Sequence, residues 1–351
     1  MNISSVAVEE LVQEEARQIY RARWGGYLLW GFMFLMVLYW SLLYFLGDQW
    51  WPVTILLYAP RWPSIIPLIG LILYRGKITR WLFVPIAISL WLIVFVLMGF
   101  QVSVGQILPN KMEDQTRLRL VTWNAMGGKF KAQPWEEYLL KVNPDVVVCQ
   151  EWPTTSPRPQ HWQFDWNVEE QNNAMLLATR FELSKVSSIT AKELGANGFV
   201  AAYELNTSLG PVSIINVHLP TIRGQSGELE ELIQGLPGSV DNFIKVLERR
   251  RDAVEKMKAW ITTVPGPCIL AGDFNMTSDD GLYRKSWKGY GNAFEKAGWG
   301  FGYTKWTSWH GVRIDHVLFE QTWQCIHAEV GPNLGSDHRP LYVELIPAGV
   351  N

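Results

Sequence analysis

Six short motifs occur in a fixed order along the last two thirds of this 351-residue chain: Thr122-Trp123-Asn124, Gln150-Glu151, Asn216-Val217-His218, Gly272-Asp273-Phe274-Asn275, Ile314-Asp315-His316 and Ser336-Asp337-His338-Arg339-Pro340. Glu151, Asp273, Asp315 and Asp337 supply carboxylates, Asn124 and Asn275 carboxamides, and His218 and His338 imidazoles. That set can hold a hard divalent cation and activate water against a phosphate ester. Hydrolysis of a phosphodiester needs charge neutralisation, a water activator and help for the leaving alkoxide. Glu151 is suited to be the primary metal ligand, with Asn124 orienting from a neighbouring strand end. Asp273 and Asn275, two apart after an apolar run, can face one water as base and positioner. His218 and His338 suit the phosphate and the departing oxygen. Asp315 can fix the tautomer of His338. Taken singly, Asp273 or Asn124 reads as a turn residue and His218 as a core histidine; the ordered set carries the functional reading.

These groups need elements to bring them together. LRLVTWN, DVVVCQ, NAMLLAT, FVAAYEL, VSIINVHL, CILAGDF, RIDHVLF and LYVEL read as strands, and the motifs sit at their ends. Strands apolar at almost every position need cover on both faces, so the pattern implies a layered α/β arrangement. A helix is expected near Pro134 to Lys141. A longer one is expected over Val240 to Thr262, with the stripe Val240, Phe243, Leu247, Val254, Met257 and Ile261 packed on a sheet. Arg250 falls on that stripe and is read as a partly buried cation paired with a carboxylate. His316 points away from Asp315 across its strand and is read as structural. Trp306 and Trp309 mark a loop before Asp315 that could stack on a base, dip into lipid or simply pack; Trp306 and Asn216 are taken as substrate-binding candidates. The three cysteines, Cys149, Cys268 and Cys325, have no metal-ligand spacing and imply no disulfide framework.

The first third is different in kind. Gly26 to Leu46 has no charge and is long enough to cross a bilayer, which takes about 20 residues. A second such stretch runs from Arg80 to Phe100, and Trp51 to Tyr74 is apolar but interrupted by Pro52, Pro60, Arg61, Pro63 and Pro67, so it reads as a kinked span. Arg17, Arg21 and Arg23 precede the first span, and Arg75, Lys77 and Arg80 lie between the second and third. With three spans both basic segments fall on the cytoplasmic side and the remainder emerges on the other face. A cleaved signal peptide is disfavoured by the length of the apolar core and by Glu9, Glu10, Glu14 and Glu15 before it. The organisation expected is a cytoplasmic segment 1–24, a transmembrane region 25–101, a polar linker 102–116, a catalytic domain 117–347 and a tail 348–351. From residue 102 onward, 24 Lys and Arg stand against 28 Asp and Glu, a net of -4, which leans away from bulk nucleic-acid binding through a basic face.

Over roughly residues 117 to 347 the ordered motifs resemble the endonuclease/exonuclease/phosphatase superfamily. The resemblance implies a four-layer α/β sandwich, two central mixed sheets flanked by helices, with a magnesium-dependent phosphoesterase site in which manganese could substitute. It makes Glu151 the main metal ligand with Asn124 and Asp337 beside it, Asp273 the base, Asn275 a positioner of phosphate and water, His218 and His338 the phosphate-contacting pair, and Asp315 the carboxylate that orients His338. Met126 stands where apurinic endonucleases of this kind carry a carboxylate, and His218 where they carry Tyr, so abasic-site repair is disfavoured. The membrane-anchored bacterial branch is the nearest likeness. The glycosylation pattern at Asn275 is discounted because a glycan would block the site. The leading expectation is a membrane-anchored, metal-dependent phosphodiesterase acting on nucleic acid, a phospholipid head group or a small phosphate ester, with the bilayer as a partner and no protein partner implied. The alternative is an inactive, tethered binding protein of the same fold.

Overall fold

Nearly continuous apolar strands bury both faces by stacking two sheets and covering each with helices. The computed structural model describes residues 5–75, 80–103, 116–128, 130–153, 155–156, 158–171 and 174–349. One six-stranded sheet has the order β13 (Trp323–Val330), β14 (Leu341–Pro347), β1 (Leu118–Asn124), β2 (Val146–Gln150), β4 (Met175–Thr179), β3 (Asn167–Gln171). The other has the order β5 (Glu182–Ile189), β6 (Phe199–Thr207), β7 (Gly210–His218), β8 (Cys268–Asp273), β12 (Asp315–Phe319), β9 (Gly291–Asn292). In each sheet one central pair, β1 with β2 and β7 with β8, is parallel and the other pairings are antiparallel, so both sheets are mixed. A separate hairpin joins β10 (Lys305–Trp306) to β11 (Gly311–Val312).

The period of two in a strand sorts its apolar residues between two cores. Leu118, Leu120, Val146, Val148, Val212, Ile214, Ile269, Ala271 and Val317 face the other sheet. Val121, Trp123, Val147 and Cys149 face outward under the helix Ala132–Val142. Ile215, Val217, Cys268 and Leu270 do the same under the helix Ser239–Ile261. The result is the expected four-layer sandwich. The long helix buries the predicted stripe from Phe243 to Ile261, but Val240 is a correction: it lies in the first turn, 39% exposed, before the helix reaches the sheet. Sequence reading also missed β3, β5 and β13, which lie at sheet edges with a strand on one side only and stay half-exposed, so their polar residues obscure the apolar signal.

The N-terminal region is helical: α1 (Ser5–Leu46), α2 (Trp51–Tyr58), α3 (Ile65–Arg75) and α4 (Phe83–Trp91), the last continuing as a π-turned segment Leu92–Leu97. Two stretches, Val8–Leu46 and Arg80–Leu97, are long and apolar enough to cross a membrane, and the pair Trp51–Tyr58 and Trp62–Tyr74, bent by 87°, makes a third if counted as one broken span. The bend falls at Pro60, where the ring removes a backbone donor. Arg61, just beyond it, joins carbonyls at the ends of two helical segments to a carboxylate. Its Nη2 donates to Leu57 O at 2.7 Å, and its Nη1 donates to Leu97 O and to Asp279 Oδ2, both at 2.6 Å. Most of the predicted linker lies outside the described residues. Just before it, Gln101, at the end of the expected membrane region, pairs with Gly300 through two backbone hydrogen bonds.

Candidate active site

The inter-sheet parity that buries Leu118 and Leu120 continues to Asn124; in β2 it reaches Gln150, in β7 Asn216 and His218, in β8 Asp273, and in β12 it begins with Asp315. Register aligns those ends: Asn124 stands opposite Gln150, and Asp273 stands opposite both His218 and Asp315. The apolar core between the sheets therefore ends in a polar layer at one edge. Gly272 makes the approach possible. A Cβ there would lie 2.0 Å from Val217 O, so no other residue fits the place where β8 passes β7.

Asn124 links the two sheets, its Nδ2 donating to Glu151 Oε1 at 3.1 Å and to Asp273 Oδ2 at 3.0 Å. Two imidazoles flank the same carboxylate. His218 Nε2 is 3.6 Å from Glu151 and 4.0 Å from Asp273, while His338 Nε2 is 3.8 Å from Asp273 Oδ2. On its other side, His338 Nδ1 lies 2.9 Å from Asp315 Oδ2, which fixes that nitrogen as the donor in the neutral ring. The loop after β8 is held from within: Asn275 N donates to Asp273 Oδ1, and Asn275 Nδ2 donates to Leu219 O, both at 2.8 Å. Glu151 and Asn275 both adopt left-handed backbone conformations, φ 50°, which non-glycine residues seldom hold without a surrounding structure that imposes them.

Electrostatics divide the carboxylates. Burial, reinforced by the neighbouring charge of Asp315, pushes the Asp273 carboxyl above its ordinary range. Burial also opposes the charge on Asp315, but the His338 ring outweighs it and holds that carboxyl low. His338 is raised for the reciprocal reason, its burial overcome by Asp315 and Asp273. Asp273, Asp315 and His338 each offer a ligand atom within 4.8 Å of one another. Two of those three are already spent on each other, whereas Glu151, with a side chain 42% exposed, has a carboxylate open to solvent.

Not every expected residue faces the cleft. Asn216 is wholly buried between the sheets, its Nδ2 donating to Cys149 O and Leu176 O and its Oδ1 accepting from Gln150 at 2.6 Å. Taken as a substrate contact from sequence, it is instead a clamp between sheets, because both faces of its carboxamide are used. Trp306 lies at the rim, 40% exposed, with the Arg339 guanidinium 4.7 Å over its ring. Asp337 is engaged by Lys305, whose Nζ is 2.6 Å from Asp337 Oδ2 and 2.9 Å from His338 Nε2. Sequence reasoning missed Lys305, which belongs to no motif and reaches the site only because β10 bridges to His338. His316 is structural as expected, bonded to Met276 O, and burial drives its ring down to about 3.

The loop from Asp273 to Asn275 has a support from the N-terminal apolar helices. Arg250, expected to pair with a carboxylate, instead donates to Pro220 O, Asn275 O and the Tyr58 hydroxyl at 2.9–3.1 Å. The Tyr58 hydroxyl in turn lies 3.1 Å from both Asn275 O and Asp280 Oδ2. The last residue of α2 is thus built into the scaffold of Asn275.

A sequence profile described as the Endonuclease/Exonuclease/phosphatase family matches residues 121–338. A search of curated proteins gave no match. Similar solved structures include TDP2 from D. rerio in complex with a single-stranded DNA product (15% identity, TM-score 0.49, covering 66% of this chain and 100% of that one). Others are the human Nocturnin catalytic domain with bound sulfate (18%, 0.47, 66% and 95%) and a family protein from Bacteroides thetaiotaomicron (13%, 0.49, 66% and 97%).

Removing the Tyr58 hydroxyl leaves Arg250 and Asp280 each short of a buried partner. Tyr58→Phe is expected to lower unfolding free energy by about 1–3 kcal/mol, read from denaturant unfolding of the full chain in detergent; an unchanged midpoint would show that the hydroxyl supports nothing.

Proposed function

We propose, from the premise that this chain belongs to the endonuclease/exonuclease/phosphatase family, that it is a membrane-anchored, divalent-metal-dependent phosphodiesterase. The observation that carries the reading is the single cleft in which Asn124 joins Glu151 to Asp273, with His218 and His338 on either side. A carboxylate oxygen from Glu151 is the kind of hard donor that Mg2+ prefers, with Mn2+ as an alternative, and Asn124, whose Oδ1 accepts from Met126 N while its Nδ2 holds Glu151, would stand beside the ion. Asp337 completes the set when Lys305 releases it. A bound cation would neutralise phosphate charge and polarise the ester.

The chain's own groups supply the rest. Asp273, raised by burial, accepts the proton of the attacking water, and Asn275 holds that water and a phosphate oxygen. His218 and His338 face the phosphate. His338, whose hold on a proton Asp315 strengthens, stabilises charge on the phosphorane and, once Lys305 has moved from its Nε2, gives a proton from that nitrogen to the departing oxygen. Trp306 borders the substrate entry. The three apolar stretches support an integral-membrane location, since Phe34, Leu73 and Phe83 remain 64%, 75% and 61% exposed on the helices and water would disfavour that surface. The domain division read from sequence is retained as part of this proposal: 1–24 cytoplasmic, 25–101 in the membrane, 102–116 linking and 117–347 catalytic, on the extracytoplasmic face. Phosphodiester groups of nucleic acid, phospholipid or small molecules are the substrate classes to compare.

With full-length protein in micelles, Glu151→Gln is expected to lower hydrolysis of an aryl phosphodiester with magnesium at least about a hundredfold, and chelation should do the same to the parent; full activity in Glu151→Gln would remove the metal assignment. The profile of kcat/KM against pH should rise through an Asp273 limb above the ordinary 3.8 and fall through a His338 limb above 6.5. Asp315→Asn takes away the charge that raises His338, so the alkaline limb should move down; an unmoved limb would show that His338 does not set it. A reporter fused after Asn351 should be active only outside the cytoplasm, and cytoplasmic activity would overturn the three-span orientation.

A further inference from the structure

Where the membrane-side helices meet the catalytic domain there is a cavity of about 700 Å3, within the range of roughly 300–1,000 Å3 usual for ligand pockets. One wall is apolar and belongs to the membrane side, with Leu57, Trp62, Leu97 and Met98 on it. The opposite wall comes from the catalytic domain and carries Arg313 and an exposed indole, Trp299. A cavity bounded on one side by helices of membrane-spanning character is open to the chemistry of lipids rather than to that of soluble metabolites alone.

Arg313 is the unusual group in this wall. It is 7% exposed, and its Nη2 donates to Ser278 Oγ at 3.1 Å and approaches Glu295 Oε1 at 3.5 Å. Its Nε and Nη1 have no hydrogen-bond partner among the described residues. A buried guanidinium with two donors unspent incurs a desolvation cost that a further acceptor would offset. Planar N–H donors of this kind match the paired oxygens of a phosphodiester. Arg339 lines the same cavity, while Arg61, also on its wall, is neutralised by Asp279.

We propose that this cavity binds one membrane phospholipid, its phosphodiester against Arg313 and an acyl chain along Leu57, Leu97 and Met98. The two halves of the molecule match the two walls: the acyl chain leaves water along the apolar one, and the phosphate meets the Arg313 guanidinium when that side chain turns from Ser278, bringing to it the unpaired Nε and Nη1 that are otherwise shut away from solvent. None of Asn124, Glu151, His218, Asp273 and His338 lines this cavity, although it shares Trp306 with the rim of their cleft, and binding there requires no turnover. Its test is therefore run with chelator present, so that it stands or falls separately from the proposed hydrolysis.

Full-length protein in neutral detergent is titrated with a phosphatidylglycerol carrying a fluorophore on its acyl chain. Saturable binding is expected, competed by unlabelled phosphatidylglycerol but not by diacylglycerol or inorganic phosphate. Arg313→Gln should weaken it about tenfold or more, and Arg313→Lys should retain part of it. Equal competition by diacylglycerol would remove the phosphate contact, competition by inorganic phosphate would reduce the site to one for a free anion, and unchanged binding in a folded Arg313→Gln would overturn the proposal. Should Arg313→Gln fail to fold, Trp299→Ala, at a position 49% exposed, must weaken binding; no change there would likewise overturn it.

Discussion

Two carboxylates, Asp273 and Asp315, stand opposite each other on adjacent strands, 1% and 0% exposed. Burying two like charges side by side is unfavourable unless each is compensated, and the surrounding architecture follows from that requirement. Asp315 is compensated by the His338 ring and by the Thr304 hydroxyl. Asp273 receives the Asn124 carboxamide and the Asn275 backbone N–H, with two imidazoles close by. One carboxyl is thereby pushed down and the other up, so a symmetric pair of aspartates becomes a permanent anion and a group poised to take a proton.

Compensation of this kind requires residues from both sheets at one place, and strand parity provides it. The same alternation that sends Leu120, Val148, Ile214 and Ala271 into the inter-sheet core sends Asn124, Gln150, Asn216 and Asp273 to its end. Asn216 and Gln150 then hold the sheets together just beneath the cleft, where an apolar pair could not satisfy the carbonyls of Cys149 and Leu176. The packing core and the chemical layer are successive turns of one repeat.

That repeat is also why so much was legible in the sequence. Each motif follows or opens an apolar run, and runs of that kind place their last residues at a sheet edge, so Asn124, Glu151, His218, Asp273 and His338 could be drawn together before any coordinates. A layered α/β arrangement followed from strands apolar on both faces, and the number of layers from the family resemblance. What stayed hidden depends on contacts with no local signature. Lys305 is one lysine in a short hairpin, and Tyr58 is one tyrosine in an apolar helix; both matter through partners 33 and 217 residues away in sequence. Arg250 was recognised as buried, but its partners, two carbonyls and a hydroxyl, depend on where α2 ends. Asn216 carries the residue type of a substrate ligand and is distinguished from one only by the saturation of its carboxamide.

The first helix has a geometric corollary of its own. Its 42 residues run unbroken from Ser5 to Leu46, about 63 Å at 1.5 Å per residue, twice the thickness of a hydrocarbon layer. Its carboxyl end is fastened to the α/β sandwich, where Arg284 reaches Tyr44 O and Arg251 reaches Asp48 O just beyond the helix. The opening turns, with Glu9, Glu10, Glu14 and Glu15 ahead of Arg17, Arg21 and Arg23, therefore form a charged stalk held far from the cleft, many screening lengths beyond the reach of its field. Cargo or a tag carried on that stalk would ride with the protein without altering a proton in the cleft.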